Sequence, residues 1–140
     1  VYNNRLTRLD LTANRRIANL SCFDNRLTKL KIGKKRPLKL GGKCQLKNLN
    51  CRNNRLTELD LSSCCKLVEL DCTENAFSPE AMERLYGTLP TRSAEGRNDP
   101  EIRVDELSAG DISMAEKKGW KVALRSAEEL LEEIEVEEEA

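Results

Sequence analysis

The sequence predicts an α/β repeat fold: a β-solenoid with short parallel strands on both sides of each coil and a βαβ-like cap at its C-terminal end. Three observations predict it. The chain repeats itself with a period of 21 residues, each period divides into halves of 10 and 11 residues, and each half carries its own L-x-x-L-x-L/C spacing.

The repeat comes first because every other reading hangs from it. The segment LTRLDLTANRRIANLSCFDN from Leu6 to Asn25 returns as LTELDLSSCCKLVELDCTEN from Leu56 to Asn75, and GGKCQLKNLNCRNN from Gly41 to Asn54 aligns with Ser62 to Asn75 at an offset of 21. In Leu56, Leu59 and Leu61 the last two leucines alternate with Asp60, the period of a strand with one buried face. Half-repeats this short leave no room for a helix. Asn25, Asn54 and Asn75 each fall three residues after a strand end, where a side-chain amide can bond main-chain groups left open by a sharp corner. Stacked coils would align these amides in a ladder, with coils about 4.8 Å apart. Burying each leucine is worth about 1.5–3 kcal/mol, and no coil does so alone, so the three coils beginning near Leu6, Leu27 and Leu56 are read as one cooperative stack.

The period breaks once. Leu27 and Leu56 are 29 residues apart, eight more than the period, and the surplus falls in LKIGKKRPLKLGG, residues 30–42. Leu49 and Cys51 keep the L-x-C-x-x-N signature of Leu20 and Cys22, so the surplus reads as a corner insertion. A hairpin-like excursion carrying Lys34, Lys35 and Arg36 near its tip is expected, as a contact site or as a tolerated, solvated insertion.

After the repeats, Ser78-Pro79-Glu80 is a helix start, with a capping hydroxyl, proline in the first turn and an acid near the positive end of the dipole. Met82, Leu85, Tyr86 and Leu89 share one face. The stretch PTRSAEGRNDP reads as a loop, Ile102 and Val104 as a strand, DISMAEKK as a helix closed by Gly119, and Trp120 with Val122 as a final extended segment. Trp120 is read as core. Ser126 with Glu129 forms a capping box ahead of an acidic helical tail. The organisation is thus residues 1–78 solenoid, 79–124 cap and 125–140 tail.

Composition bounds the function. The net charge is zero, yet residues 1–78 carry 16 Lys/Arg against 7 Asp/Glu (+9), and residues 79–140 carry 8 against 17 (−9). A basic half can attract acidic proteins or acidic glycans, or be neutralised by the acidic half of the same molecule. With no histidine in the chain, Ser-His-Asp and Cys-His catalysis and histidine-dependent zinc motifs are excluded. The 6 cysteines follow the repeat: Cys22, Cys51 and Cys72 are equivalent, and Cys44 aligns with Cys65. They are read as reduced, buried, structural thiols, although stacked Cys51 and Cys72 could in principle be bridged. Asp60 and Asp71 are single carboxylates on opposite strands rather than an acid/base pair, so an enzyme is not expected. No cofactor or metal is called for, no apolar run is long enough to span a membrane, and a basic half without interleaved aromatics argues against nucleic acid.

The segments NNRLTRLDL (3–11), CFDNRLTKL (22–30), CRNNRLTELDLSSC (51–64) and LVELDCTENAF (67–77) resemble bacterial leucine-rich-repeat proteins with nested 21-residue repeats, especially surface and secreted proteins of Bacteroidetes. That resemblance implies a binding role and a location outside the cytoplasm, with unpaired thiols keeping a cytoplasmic location as the alternative. The expectation is a non-enzymatic module that presents Arg8, Lys29, Lys31, Lys34, Lys35, Arg36 and Glu58 to a protein or acidic glycan. Asn25, Asn54, Asn75, Cys22, Cys51 and Cys72 serve structure. The alternative is a self-associating structural segment of a larger surface protein.

Overall fold

A computed structural model describes residues 4–12, 16–32, 45–91 and 100–126. Residues 33–44, which include most of the expected hairpin at 30–42 with Lys34, Lys35 and Arg36 and also Cys44, the loop residues 92–99 and the acidic tail beyond Ser126 lie outside the described residues.

The class is α/β with parallel sheets and no closed barrel. Strands β1 (Arg8–Asp10) and β3 (Lys29–Lys31) form a two-stranded sheet; β2 (Asn19–Ser21), β4 (Asn48–Asn50), β5 (Glu69–Asp71), β6 (Glu101–Asp105) and β7 (Lys121–Arg125) form a five-stranded sheet in that order. Every pairing is parallel. Over β1–β4 the chain passes alternately from one sheet to the other, after which β5, β6 and β7 all join the five-stranded sheet; equivalent aliphatic residues fall into register, Leu9 with Leu30 in one sheet and Leu20, Leu49, Leu70 and Ile102 in turn in the other. Each three-residue strand points one residue inward, and Leu20, Leu49 and Leu70 are buried between two polar neighbours.

The expected strand at Leu59–Leu61 is a correction to the sequence reading, which placed strands on both sides of every coil. Leu59 and Leu61 are buried as their spacing requires, but residues 58–60 form no strand in either described sheet. The main-chain N–H of Leu61 donates to Thr88 Oγ1 at 3.1 Å, which ties this segment to helix α1 (Pro79–Thr88).

Helix α1 (Pro79–Thr88) begins where the sequence places it, with Ser78 Oγ accepting the Ala81 N–H at 3.1 Å. It buries Ala81, Met82, Leu85 and Tyr86 in the same core as the repeat leucines. Strand β6, helix α2 (Ser113–Lys117) and strand β7 then form a parallel β-α-β unit that continues the five-stranded sheet. Trp120 is 2% exposed and its indole N–H donates to the Pro90 carbonyl at 2.8 Å. Tyr86 donates to the Ala109 carbonyl at 2.6 Å. A left-handed Gly110 (φ 64°) closes this contact, because a Cβ there would stand 2.6 Å from the Pro79 carbonyl oxygen. Among the described residues, no helix is long and apolar enough to cross a membrane.

Candidate functional site

The two-stranded sheet has a charged outer row. Arg8 is the register partner of Lys29 and Asp10 of Lys31, and all four are exposed, while Leu9 and Leu30 turn inward. Asp10 is committed to its own strand end, where Oδ1 accepts the Thr12 N–H at 2.9 Å and hydroxyl at 2.7 Å. Arg8, Lys29 and Lys31 are the exposed cations of this row.

Beside β3 the packing opens. At one end the Leu27 carbonyl accepts the Arg55 N–H at 2.8 Å, and at the other the Ile32 carbonyl accepts the Ser63 hydroxyl at 3.0 Å. Between these two closures lies a cleft of about 620 Å³. It is lined by Lys29 and Lys31 of β3, by Glu58 and Asp60, and by Ala81, Arg84, Leu85 and Thr88 of α1. Asp60 Oδ1 accepts the Ser62 N–H at 2.9 Å, repeating the arrangement at Asp10. The fold thus gathers Lys29, Lys31 and Glu58 at one cleft with Arg8 alongside; Lys34, Lys35 and Arg36 lie outside the described residues.

The outer face of the five-stranded sheet is different in character. A shallow concavity of about 500 Å³ is lined by Asn19, Asn48 and Asn50 towards one edge and by Glu69, Asp71, Glu101 and Arg103 towards the other. Asn48 donates to Asn19, and Asp71 Oδ1 accepts the Thr73 N–H at 3.1 Å and hydroxyl at 2.7 Å. Asp60 and Asp71 therefore sit on different sides of the molecule, each with an oxygen engaged by the residue two positions on.

The corners that follow β2, β4 and β5 share one device. Asp24, Asn53 and Glu74 take left-handed conformations (φ 56°, 56° and 57°), each turning the chain immediately before an asparagine. Asn54 Nδ2 donates to the carbonyls of Cys22 and Cys51, both at 3.0 Å, and Asn75 Nδ2 to those of Cys51 at 3.0 Å and Cys72 at 3.2 Å. Asn25 Nδ2 reaches the Cys22 carbonyl at 3.0 Å. Each amide oxygen accepts the N–H of a leucine from the preceding pass: Leu6 by Asn25, Leu27 by Asn54 and Leu56 by Asn75.

Cys22, Cys51 and Cys72 stand in a buried column along these corners and are free thiols, as are Cys64 and Cys65. Burial pushes the Cys22 thiol up to about 11, and pushes Cys51 and Cys72 well up, with the neighbouring Asp71 charge adding to both. Thiols so placed remain protonated near neutrality. Only Cys65 is exposed among the free cysteines described.

Two groups of residues escaped the sequence reading. Arg84, Thr88 and Ser63 reach the cleft only because α1 and the turn after Leu61 fold back over it, and no local spacing announces that. The second is an ion-pair network: Glu74 binds Arg52 Nε at 2.9 Å and Arg125 Nη1 at 2.8 Å, and Asp105 binds Arg125 Nε at 2.9 Å. Glu74 stands where the earlier corners have Asp24 and Asn53, and its larger, charged side chain in that series was the available signal. Among the described residues, no three His, Cys, Asp or Glu side chains gather so as to hold a metal ion. Comparison with protein-family models, with curated proteins and with solved structures finds no match for this chain.

Proposed function

We propose that this chain is a short leucine-rich-repeat solenoid that works as a non-enzymatic binding module, presenting the β1–β3 side to a protein or glycan partner outside the cytoplasm. The observation that carries the reading is the exposed row Arg8, Lys29 and Lys31 beside a cleft of about 620 Å³, on a scaffold in which β2, β3, β4 and β5 each bury their central leucine. Strands paired in register give a firm platform, and binding residues on such a platform lose little freedom on engagement. Long, exposed cations attract acidic partners from a distance and fix their orientation.

The test is an array of acidic glycans and acidic proteins probed with the wild-type chain and with an Arg8→Glu/Lys31→Glu variant. A loss of about tenfold or more in the variant, reduced by added salt in the wild type, is the expected result. Identical binding profiles for the two proteins would count against the reading.

One observation favours a second reading, a self-associating structural segment. β1 and β2 are the outermost strands of their sheets at the same end of the stack, and Leu6, Leu9 and Ile17 there are only partly buried. Light scattering that reports a monomer from low to high salt removes it.

A further inference from the structure

Each pass of the chain leaves its corner in the same way. The main-chain N–H of Arg26 donates to the Leu6 carbonyl at 2.9 Å, that of Arg55 to the Leu27 carbonyl at 2.8 Å and that of Ala76 to the Leu56 carbonyl at 2.9 Å. Arg5, Arg26 and Arg55 therefore hold one position on three successive passes, each directly before a leucine whose N–H is held by a corner asparagine. All three arginines are exposed. Two residues on, Thr7, Thr28 and Thr57 form a second exposed row in the same register, and the Thr28 N–H donates to the Thr7 carbonyl at 2.9 Å. Each pass thus shows one guanidinium and one hydroxyl, and the passes follow one another at about 4.8 Å. Like charges in direct register work against the stack. The carboxylate of Glu74 binds Arg52 and Arg125, which lie outside the row.

From these two rows we infer that the corner edge binds a linear acidic glycan, a polyuronate with one carboxylate on each ring, laid along the stack with one ring to each pass. The inference rests on the binding-module reading and narrows its partner to one class. A guanidinium takes a carboxylate through two parallel hydrogen bonds, and a threonine hydroxyl both donates to and accepts from a ring hydroxyl. One ring with its bridging oxygen advances such a polymer by about one strand spacing, so carboxylates and guanidiniums stay in step. An extended peptide brings acids to one face only every second residue, about 6.6 Å, and falls out of step within two passes. An acidic helix returns to one face about every 5.4 Å but brings carboxylates alone, with nothing for the threonine row. Single-stranded nucleic acid gains its hold by stacking on aromatic rings, which these rows do not supply. Arg8 and Lys29, next after Thr7 and Thr28, raise the local potential on the first two passes, whereas Glu58 takes that position on the third. The first two rings are therefore held most firmly, and Arg26 stands at the centre.

The test titrates three labelled probes against the full chain by fluorescence anisotropy: a polyuronate pentamer, its methyl ester, and a capped peptide of residues 126–140. The pentamer is expected to bind at least tenfold tighter than the other two. Arg26→Gln should weaken it about tenfold, Arg55→Gln less, and Arg5→Gln/Arg26→Gln/Arg55→Gln should abolish binding. Arg26→Lys should recover only part of the loss, since an ammonium lacks the paired donors. The three positions are exposed, and removing like charges from one row should leave the melting temperature unchanged or raised, which separates lost binding from lost fold. Equal binding of acid and ester, pentamer binding that survives the triple variant, or no pentamer binding overturns the inference. So does tighter binding of the 126–140 peptide, because an acidic helix is then the better occupant. Retention on an acidic protein, lost in Arg8→Glu/Lys31→Glu, together with no pentamer binding, would overturn this inference and leave the binding-module reading intact; failure of both assays defeats both.

Discussion

The amide oxygen of Asn54 accepts the main-chain N–H of Leu27 at 3.0 Å, joining positions 27 residues apart. The same amide donates to the carbonyls of Cys22 and Cys51, so one side chain satisfies three main-chain groups from two passes of the chain. Replacing Asn54 by Ala leaves those groups without partners in a place closed to water. An unsatisfied buried group costs about 1–3 kcal/mol, and we expect Asn54→Ala to lose about 3 kcal/mol or more in urea unfolding. A loss under about 1 kcal/mol would show that water takes over the role.

Glu74 sets the acid side of the stability profile. Burial alone would raise its carboxyl, but the hydrogen bonds and charges of Arg52 and Arg125 outweigh this and hold it below the ordinary range. A depressed folded-state pKa gives stability that is fully present above the unfolded value of about 4.3 and lost as pH falls through the folded value. Glu74→Gln should therefore be less stable near neutrality and should flatten the acid limb, the two proteins converging at low pH. Parallel acid limbs for the two would remove Glu74 from this role.

The cysteine column sets the alkaline side. Unfolded thiols ionise above about 8.5, whereas Cys22 is held at about 11 and Cys51 and Cys72 are held well up by burial. The unfolded chain thus releases protons that the folded chain keeps, and stability declines as pH rises past the unfolded value. Cys51→Ala should reduce that slope. In native labelling near pH 8, peptides containing Cys65 should react well before those containing Cys22, Cys51 or Cys72, as mass spectrometry of timed samples would record.

Two glycines should respond with opposite sign. Gly110 is left-handed and faces the Pro79 carbonyl oxygen at 2.6 Å from a built Cβ. The conformation alone costs an ordinary residue about 1–2 kcal/mol, so Gly110→Ala should destabilise by more than that. Gly87, within α1, has nothing within 4 Å of the same atom, and Gly87→Ala should stabilise by up to about 1 kcal/mol. Thermal melts of the two variants decide both.

What could be read from the sequence was whatever recurs locally. The leucine spacing places Leu20, Leu49 and Leu70 in one inward row, and the asparagines fall at the corners because a single residue type meets the same backbone need each time. The start of α1 and the segments β6, α2 and β7 carry their own capping and alternation signals. The lapse at 58–60 carries none. LTELDL at 56–61 has the same pattern as LTRLDL at 6–11, yet only the first copy forms a strand, and the contact of Leu61 with Thr88, 27 residues further on, carries no local signal. The cleft, lined by residues of β3, 58–63 and α1, is equally silent in the local spacing. Opposite charges at Glu74 and Arg125 are likewise brought together only by the parallel return of β7.

The 21-residue step between Leu49 and Leu70 is also the distance between Asn54 and Asn75. Strand phase and corner phase therefore advance together. A whole step spliced in after Asn54 would lengthen the molecule like an added course of masonry, leaving the first two passes and the closing β-α-β unit with the contacts they already make. Length, in such a molecule, is an adjustable quantity.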